Sequence, residues 1–213
     1  MMAGARATAI IAIGTAIVSA LILLTGRLPY AAVEAGFIPV RASGMVAHAF
    51  LVPLLLTPLT ATLVHGGIAH LGFNLVMLVY CGQQAERATG ATGLAILYVV
   101  GAYAAAAAQY AFDPSSLSPM IGASGAISAV VAAYALLYGE RRAQAIGPIP
   151  GGVVHVAWLA AAWIGIQLLI GYAGFGEGAG TGTGPIAIGA HIGGFVAGLA
   201  LARPLLLWRY RHA

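Results

Sequence analysis

Apolar runs broken by short clusters of Gly, Pro or charge organise the whole chain. The runs fall at 8–24, 68–85, 91–112, 122–138, 153–173 and 186–206. About 20 apolar residues cross a hydrocarbon layer of ~30 Å as a helix, so six membrane helices are predicted, the shorter ones tight. The breaks are Glu86-Arg87, Asp113-Pro114, Glu140-Arg141-Arg142 with Pro148 and Pro150, and the segment from Gly174 to Pro185. Residues 45–64 are also apolar but carry Pro53 and Pro58, and a span there would invert everything before it.

Composition agrees with this pattern. Of 213 residues, 61% are hydrophobic and 7% charged, and the mean hydropathy is +0.96. Soluble domains carry about 25% charged residues, so the expected fold class is an all-α membrane protein, a six-helix bundle forming one domain over 1–213. The 30 Gly and 10 Pro follow no collagen period. The net charge of +4 comes from nine Arg, no Lys and five acids. These Arg form no patch interleaved with aromatics, so no nucleic-acid partner is expected. They read instead as topology signals. With both termini inside, seven Arg lie on the inner side, and Arg27 and Arg41 lie outside. This bias favours reading 25–67 as a long outer loop partly lying in the membrane. Arg6 and the run behind it are read as an uncleaved first helix. Cys81 stands alone, so it forms no internal disulfide.

Polar residues inside apolar helices need a reason. His70 and Asn74 are four apart on one helix face, with His65 just before them. Gly122-Ala123-Ser124-Gly125 opens the fourth span, and Gly189-Ala190-His191-Ile192-Gly193-Gly194 opens the sixth. Taken singly, each has a plain explanation: interhelical hydrogen bonding, a serine cap, or the close packing allowed by Gly194 and Gly198. The orientation model places all three clusters at one depth, near the outer face. That shared depth favours a functional site.

These residues resemble the rhomboid family of intramembrane serine proteases. The matching patterns are His65-Gly66-Gly67-x2-His70-x3-Asn74, Gly122-Ala123-Ser124-Gly125 and Ala190-His191-x2-Gly194, with Cys81-Gly82-Gln83-Gln84-Ala85-Glu86-Arg87 similar to the family's segment closing the second helix. The likeness covers roughly 60–205. Two departures stand out. No Trp precedes Trp158, so the Trp-Arg pair many members carry in the first outer loop is missing. Ser128 stands where many members place an aromatic beside the histidine.

The resemblance implies Ser124 as nucleophile and His191 as general base, without a carboxylate. It also implies Asn74, His70 and the Ser124 backbone N–H as oxyanion donors. His65, Gly122, Gly125, Ser128 and Gly194 are expected to support them. The Gly-rich outer loop 174–185 is expected to cap the site and move. The implied partners are the lipid bilayer and a protein substrate with a transmembrane segment, with no cofactor and no metal. Separately, the Ala- and Arg-rich composition without Lys suggests a bacterial chain and so a cytoplasmic membrane, and the orientation model opens the site to the outer face. Three alternatives remain open: an inactive rhomboid-like binding or quality-control factor, a transporter or channel, and a metal site built from His65, His70 and His191. His155 is read as structural, and His48, His212, Asp113 and Glu177 are given no role.

Overall fold

The computed structural model describes residues 5–44, 51–138, 143–172 and 187–211. The Gly-rich loop 174–185, the Glu140-Arg141-Arg142 cluster, His48 and His212 lie outside the described residues. Nearly all of the rest is helical. Helix α1 (Arg6–Leu24) leads into two short helices, α2 (Leu28–Ala35) and α3 (Pro39–Ala42). A four-residue helix, α4 (Thr57–Thr60), sits between 3-10 turns at Leu54–Leu56 and Ala61–Leu63. Then follow α5 (Ile68–Phe112), α6 (Ser124–Tyr138), α7 (Gly151–Tyr172) and α8 (Ile188–Arg209).

Helix α1 shows how these sequences sort themselves. Its buried positions are Thr8, Ala12, Thr15 and Ser19, one stripe at helical spacing, while Ile10, Ile13, Ile17 and Leu21 are all more than half exposed. Small and polar groups face the bundle and aliphatic ones face out, the reverse of a soluble helix. Hydrocarbon surroundings explain it, because polar groups there must find partners inside the protein. Among the described residues, α1, α5 and α8 are long and apolar enough to cross a membrane; α6 and Gly151–Ile166 of α7 are shorter apolar helices.

One expected break moves. Glu86 and Arg87 do not end a helix but lie inside the first arm of α5, and the helical backbone is interrupted at Gly90 (φ 80°, ψ 169°). A straight helix would hold His70 and Ala105 ~50 Å apart. Both instead touch the start of α6: His70 lies against Gly122, and Ala105 against Gly125. The two arms therefore fold back on each other at Gly90. Glu86 stays helical because it has work inside the bundle. Its carboxylate accepts hydrogen bonds from Ala7 N (3.0 Å), Thr8 N (2.8 Å) and Thr8 Oγ1 (2.7 Å). It thereby caps the first turn of α1, whose free N–H groups favour an anion.

The stretch 51–64 holds no helix longer than four residues. Pro58 sits at the start of α4 and Pro53 just before the first 3-10 turn, where a missing N–H costs nothing but a long helix cannot propagate. Both this stretch and the link between α2 and α3 are fastened to the segment before α6. Phe37 and Met120 exchange backbone hydrogen bonds (3.0 and 2.8 Å), and Gly122 N donates to Ala61 O at 2.9 Å.

Helices α5, α6 and α8 form the tightly packed centre; α1 lies on α5, and α7 is attached more loosely to α6 and α8. Helix α6 is the most enclosed, with Gly125 to Val130 buried without interruption. Its contact with α8 is backbone to backbone. A methyl group at Gly194 would collide with the Gly125 carbonyl oxygen, and one at Gly198 with the Ala129 carbonyl oxygen. Only glycine permits this approach, and it brings the first turns of α6 and α8 together.

Candidate active site

Ser124 is the first residue of α6, and His191 stands in the first turn of α8. Ser124 Oγ and His191 Nε2 are 2.8 Å apart. The sequence separates them by 67 positions; the glycine contacts of α6 with α8 bring them together. His191 is buried, with 6% of its surface exposed. As the opening residue of a helix, Ser124 has a backbone N–H with no intrahelical acceptor.

The turn ahead of Ser124 is held from several sides. Gly122 has φ 103°, and a Cβ there would stand 2.7 Å from His70 Nε2. A side chain at 122 would thus be both strained and in collision. Ala123 N donates to His65 Nε2 at 3.3 Å, and His65 Nδ1 lies 2.9 Å from Ser19 Oγ, which itself donates to Leu63 O at 2.8 Å. An acceptor at Nε2 assigns the His65 proton to Nδ1, which then donates to Ser19, so every group in the chain is satisfied. His65 carries this turn on a fully buried ring.

His70 accepts a hydrogen bond from Gly66 N at Nδ1 (3.3 Å). The same logic places its proton on Nε2, the atom facing Gly122. The rings of His65 and His70 meet edge to face with centroids 5.0 Å apart. Asn74 is buried and donates from Nδ2 to His70 O at 2.9 Å. Gly125 touches Ala105 and lies beside Ala190, the residue before His191. The fold thus brings His65, His70, Gly122, Ser124, Gly125, Ser128, His191 and Gly194 into one connected cluster, with Asn74 tied in through His70.

Ser128 has a partner that sequence reading missed. Its Oγ donates to Ser124 O (2.7 Å) and accepts from Trp163 Nε1 of α7 (2.7 Å). The Trp163 ring also stacks on Phe73, the neighbour of Asn74, with centroids 6.3 Å apart. A tryptophan in an apolar helix opposite a lone serine was the available signal. The described acids are engaged elsewhere: Glu86 at α1, Asp113 with Ser115, and Glu34 with Leu51 N. Among the described residues, no three His, Cys, Asp or Glu gather closely enough to hold a metal ion.

Comparison with known proteins identifies the class. The rhomboid domain model matches residues 54–208. The chain is 31% identical over 169 residues to the rhomboid protease GlpG of Serratia proteamaculans, covering 78% of this chain and 48% of that one. It is 31% identical over 146 residues to the rhomboid protease GluP of Bacillus subtilis (68% and 26%). To human rhomboid-related protein 3 it is 37% identical over 76 residues (36% and 18%). The chain belongs to the rhomboid family. It spans less than half the length of these curated relatives. Family and apolar helices together make it an integral membrane protein.

Proposed function

We propose that this chain is an intramembrane serine endopeptidase that cleaves peptide bonds in or near transmembrane segments of other membrane proteins. The observation that carries this reading is the 2.8 Å contact between Ser124 Oγ and His191 Nε2 at the adjoining first turns of α6 and α8. The names of the relatives, rhomboid proteases, support it.

In this reading His191 Nε2 accepts the Ser124 hydroxyl proton as Oγ attacks the scissile carbonyl carbon. The oxygen of the tetrahedral intermediate takes hydrogen bonds from the Ser124 N–H, His70 Nε2–H and Asn74 Nδ2, at the positive end of α6. Collapse breaks the C–N bond, and His191 returns the proton to the leaving amine. Ser124 is left as an ester. Water, deprotonated by His191, then attacks the ester, releasing the acid and restoring the hydroxyl. Ser124 and His191 act as a dyad.

The membrane arrangement belongs to the same proposal. Six spans are α1, the two arms of α5, α6, α7 and α8, all within one domain. Both termini face the cytoplasm, and the site opens to the outer face of a bacterial cytoplasmic membrane. Ser124 opens α6 only after the non-helical turn 113–123, and that turn can line a cavity in which the serine sits below the outer surface. The substrate segment must unwind locally, because a helix hides its carbonyls in hydrogen bonds.

The test is incubation in detergent with a labelled single-span substrate, alongside an active-site serine probe. The parent is expected to cleave and to label. Ser124→Ala and His191→Ala are expected to do neither. Equal cleavage by Ser124→Ala would refute the mechanism, and a folded parent that never labels would point to a binding factor without protease activity.

A further inference from the structure

At the end of the bundle away from Ser124, helices α6, α7 and α8 surround a cavity of about 410 Å³. That is within the size range of ligand sites. It lies twelve residues along α6 from Ser124, at Leu136, and twelve along α8 from His191, at Arg203. It is therefore ~18 Å from the dyad, a separate place with separate chemistry.

Its walls are aliphatic, with Leu136, Val153 and Leu199 from the three helices in turn. Its polar groups share one character. Arg203 contributes a guanidinium, and among the described residues it has no ion pair or hydrogen bond. His155 Nε2 is buried without a hydrogen-bond partner. The first turn of α7, at Pro150 and beyond, adds the positive end of a 22-residue helix. Among the described residues, no carboxylate lines the cavity. A buried ring nitrogen left unpaired costs free energy unless something occupies the space beside it.

We infer that this cavity binds the phosphate of an anionic phospholipid, from the leaflet opposite the Ser124–His191 pair. Charge complementarity picks the phosphate, with the Arg203 guanidinium as the principal donor. The aliphatic walls pick a lipid over a free ion, because they suit a glycerol and acyl stem and offer nothing to a small hydrated anion. Basic pockets between membrane helices on the cytoplasmic side commonly take anionic headgroups. Bound there, the lipid joins loosely attached α7 to α6 and α8.

The experiment uses the full chain in a neutral detergent and reads binding, not proteolysis, so it stands apart from the proposed activity. Phosphatidylglycerol, phosphatidylcholine and inorganic phosphate are titrated separately, with thermal unfolding and native mass spectrometry as readouts. Phosphatidylglycerol is expected to bind saturably and raise Tm, and phosphatidylcholine to bind at least ~10-fold more weakly. Arg203→Gln and His155→Leu should unfold without lipid at the parent's Tm, and Arg203→Gln should lose ~10-fold or more in affinity. Arg27→Gln, at the other end of the bundle, should bind as the parent does. Equal binding of phosphatidylglycerol by the parent and both cavity variants would overturn the site. Inorganic phosphate binding as tightly as the lipid, with the same dependence on Arg203, would overturn the lipid assignment.

Discussion

Replacing Gly194 with alanine tests whether the approach of α8 to α6 sets the Ser124–His191 contact. The added methyl points into the Gly125 carbonyl oxygen and stands 3.2 Å from Ser128 Cβ. That oxygen is backbone within a helix and cannot turn aside, so the helices must part. Regaining an ordinary contact of ~3.5 Å takes about 1.5 Å of movement. Ser124 is the residue before Gly125, and His191 is three before Gly194, so the shift passes to the pair with little loss. Their 2.8 Å separation becomes ~4.3 Å, outside hydrogen-bond range. A misplacement of 1 Å costs on the order of 10²-fold in turnover, and forced overpacking costs ~1–3 kcal/mol of stability. The assay pairs cleavage of a labelled single-span substrate with thermal unfolding in the same detergent. Gly14→Ala is the control: a Cβ there meets nothing within 4 Å, so rate and Tm should match or slightly exceed the parent's. Gly194→Ala cleaving at the parent's rate, with an unchanged Tm, would refute the reasoning.

Asn74→Ala removes one of the proposed oxyanion donors and should lower turnover by ~10²–10³ while leaving serine-probe labelling detectable; turnover equal to the parent's would remove Asn74 from the oxyanion site. Glu86→Ala strands Ala7 N, Thr8 N and Thr8 Oγ1 in the interior and should cost ~3 kcal/mol or more, with Glu86→Gln intermediate; denaturant unfolding in detergent reads both, and an unchanged midpoint for Glu86→Ala would show that the cap is not needed. Trp163→Phe should cost ~1 kcal/mol, since stacking on Phe73 survives and one hydrogen bond is lost. Combined with Ser128→Ala it should cost less than the two single losses added; strict additivity would show that the 2.7 Å contact carries no energy.

The candidate site residues stood out in the sequence because an apolar chain makes its few polar residues conspicuous. His65, His70, Asn74, Ser124 and His191 had few competing explanations once hydropathy placed them at one depth. What stayed hidden depends on contacts between distant positions. Glu86 looked like a loop charge because its partner, Thr8, is 78 residues away, and composition cannot distinguish a capping carboxylate from a solvated one. Gly90 was one glycine among 30, and only its backbone angles mark it as the hinge. Ser128 raised the question of what replaces an aromatic ring, but its partner Trp163 lies on another helix. The connection over 25–67 was legible only as a loop partly lying in the membrane, because prolines forbid long helices without specifying which short ones form.

The hydrogen bonds of α1 explain why polar residues collect where they do. Near its start, α1 is held by Glu86, which accepts from Ala7 and Thr8. Near its end it is held by Ser19, which meets His65 at 2.9 Å. Lipid offers a helix no hydrophobic incentive to leave it for a neighbour, so association must come from close packing and interhelical hydrogen bonds. Helix α1 uses the hydrogen bonds and α6 with α8 use close packing. The Ser19 anchor does more than hold a helix, because His65 passes it on to Ala123 N, immediately before Ser124. A single buried imidazole therefore couples the seating of α1 to the turn that presents the serine. On this reasoning Ser19→Ala, remote in sequence from every reacting group, should weaken serine-probe labelling as well as Tm. Thr8→Ala at the other end of α1 should lower Tm alone. Equal labelling by the two variants would mean that His65 holds its position without help from α1.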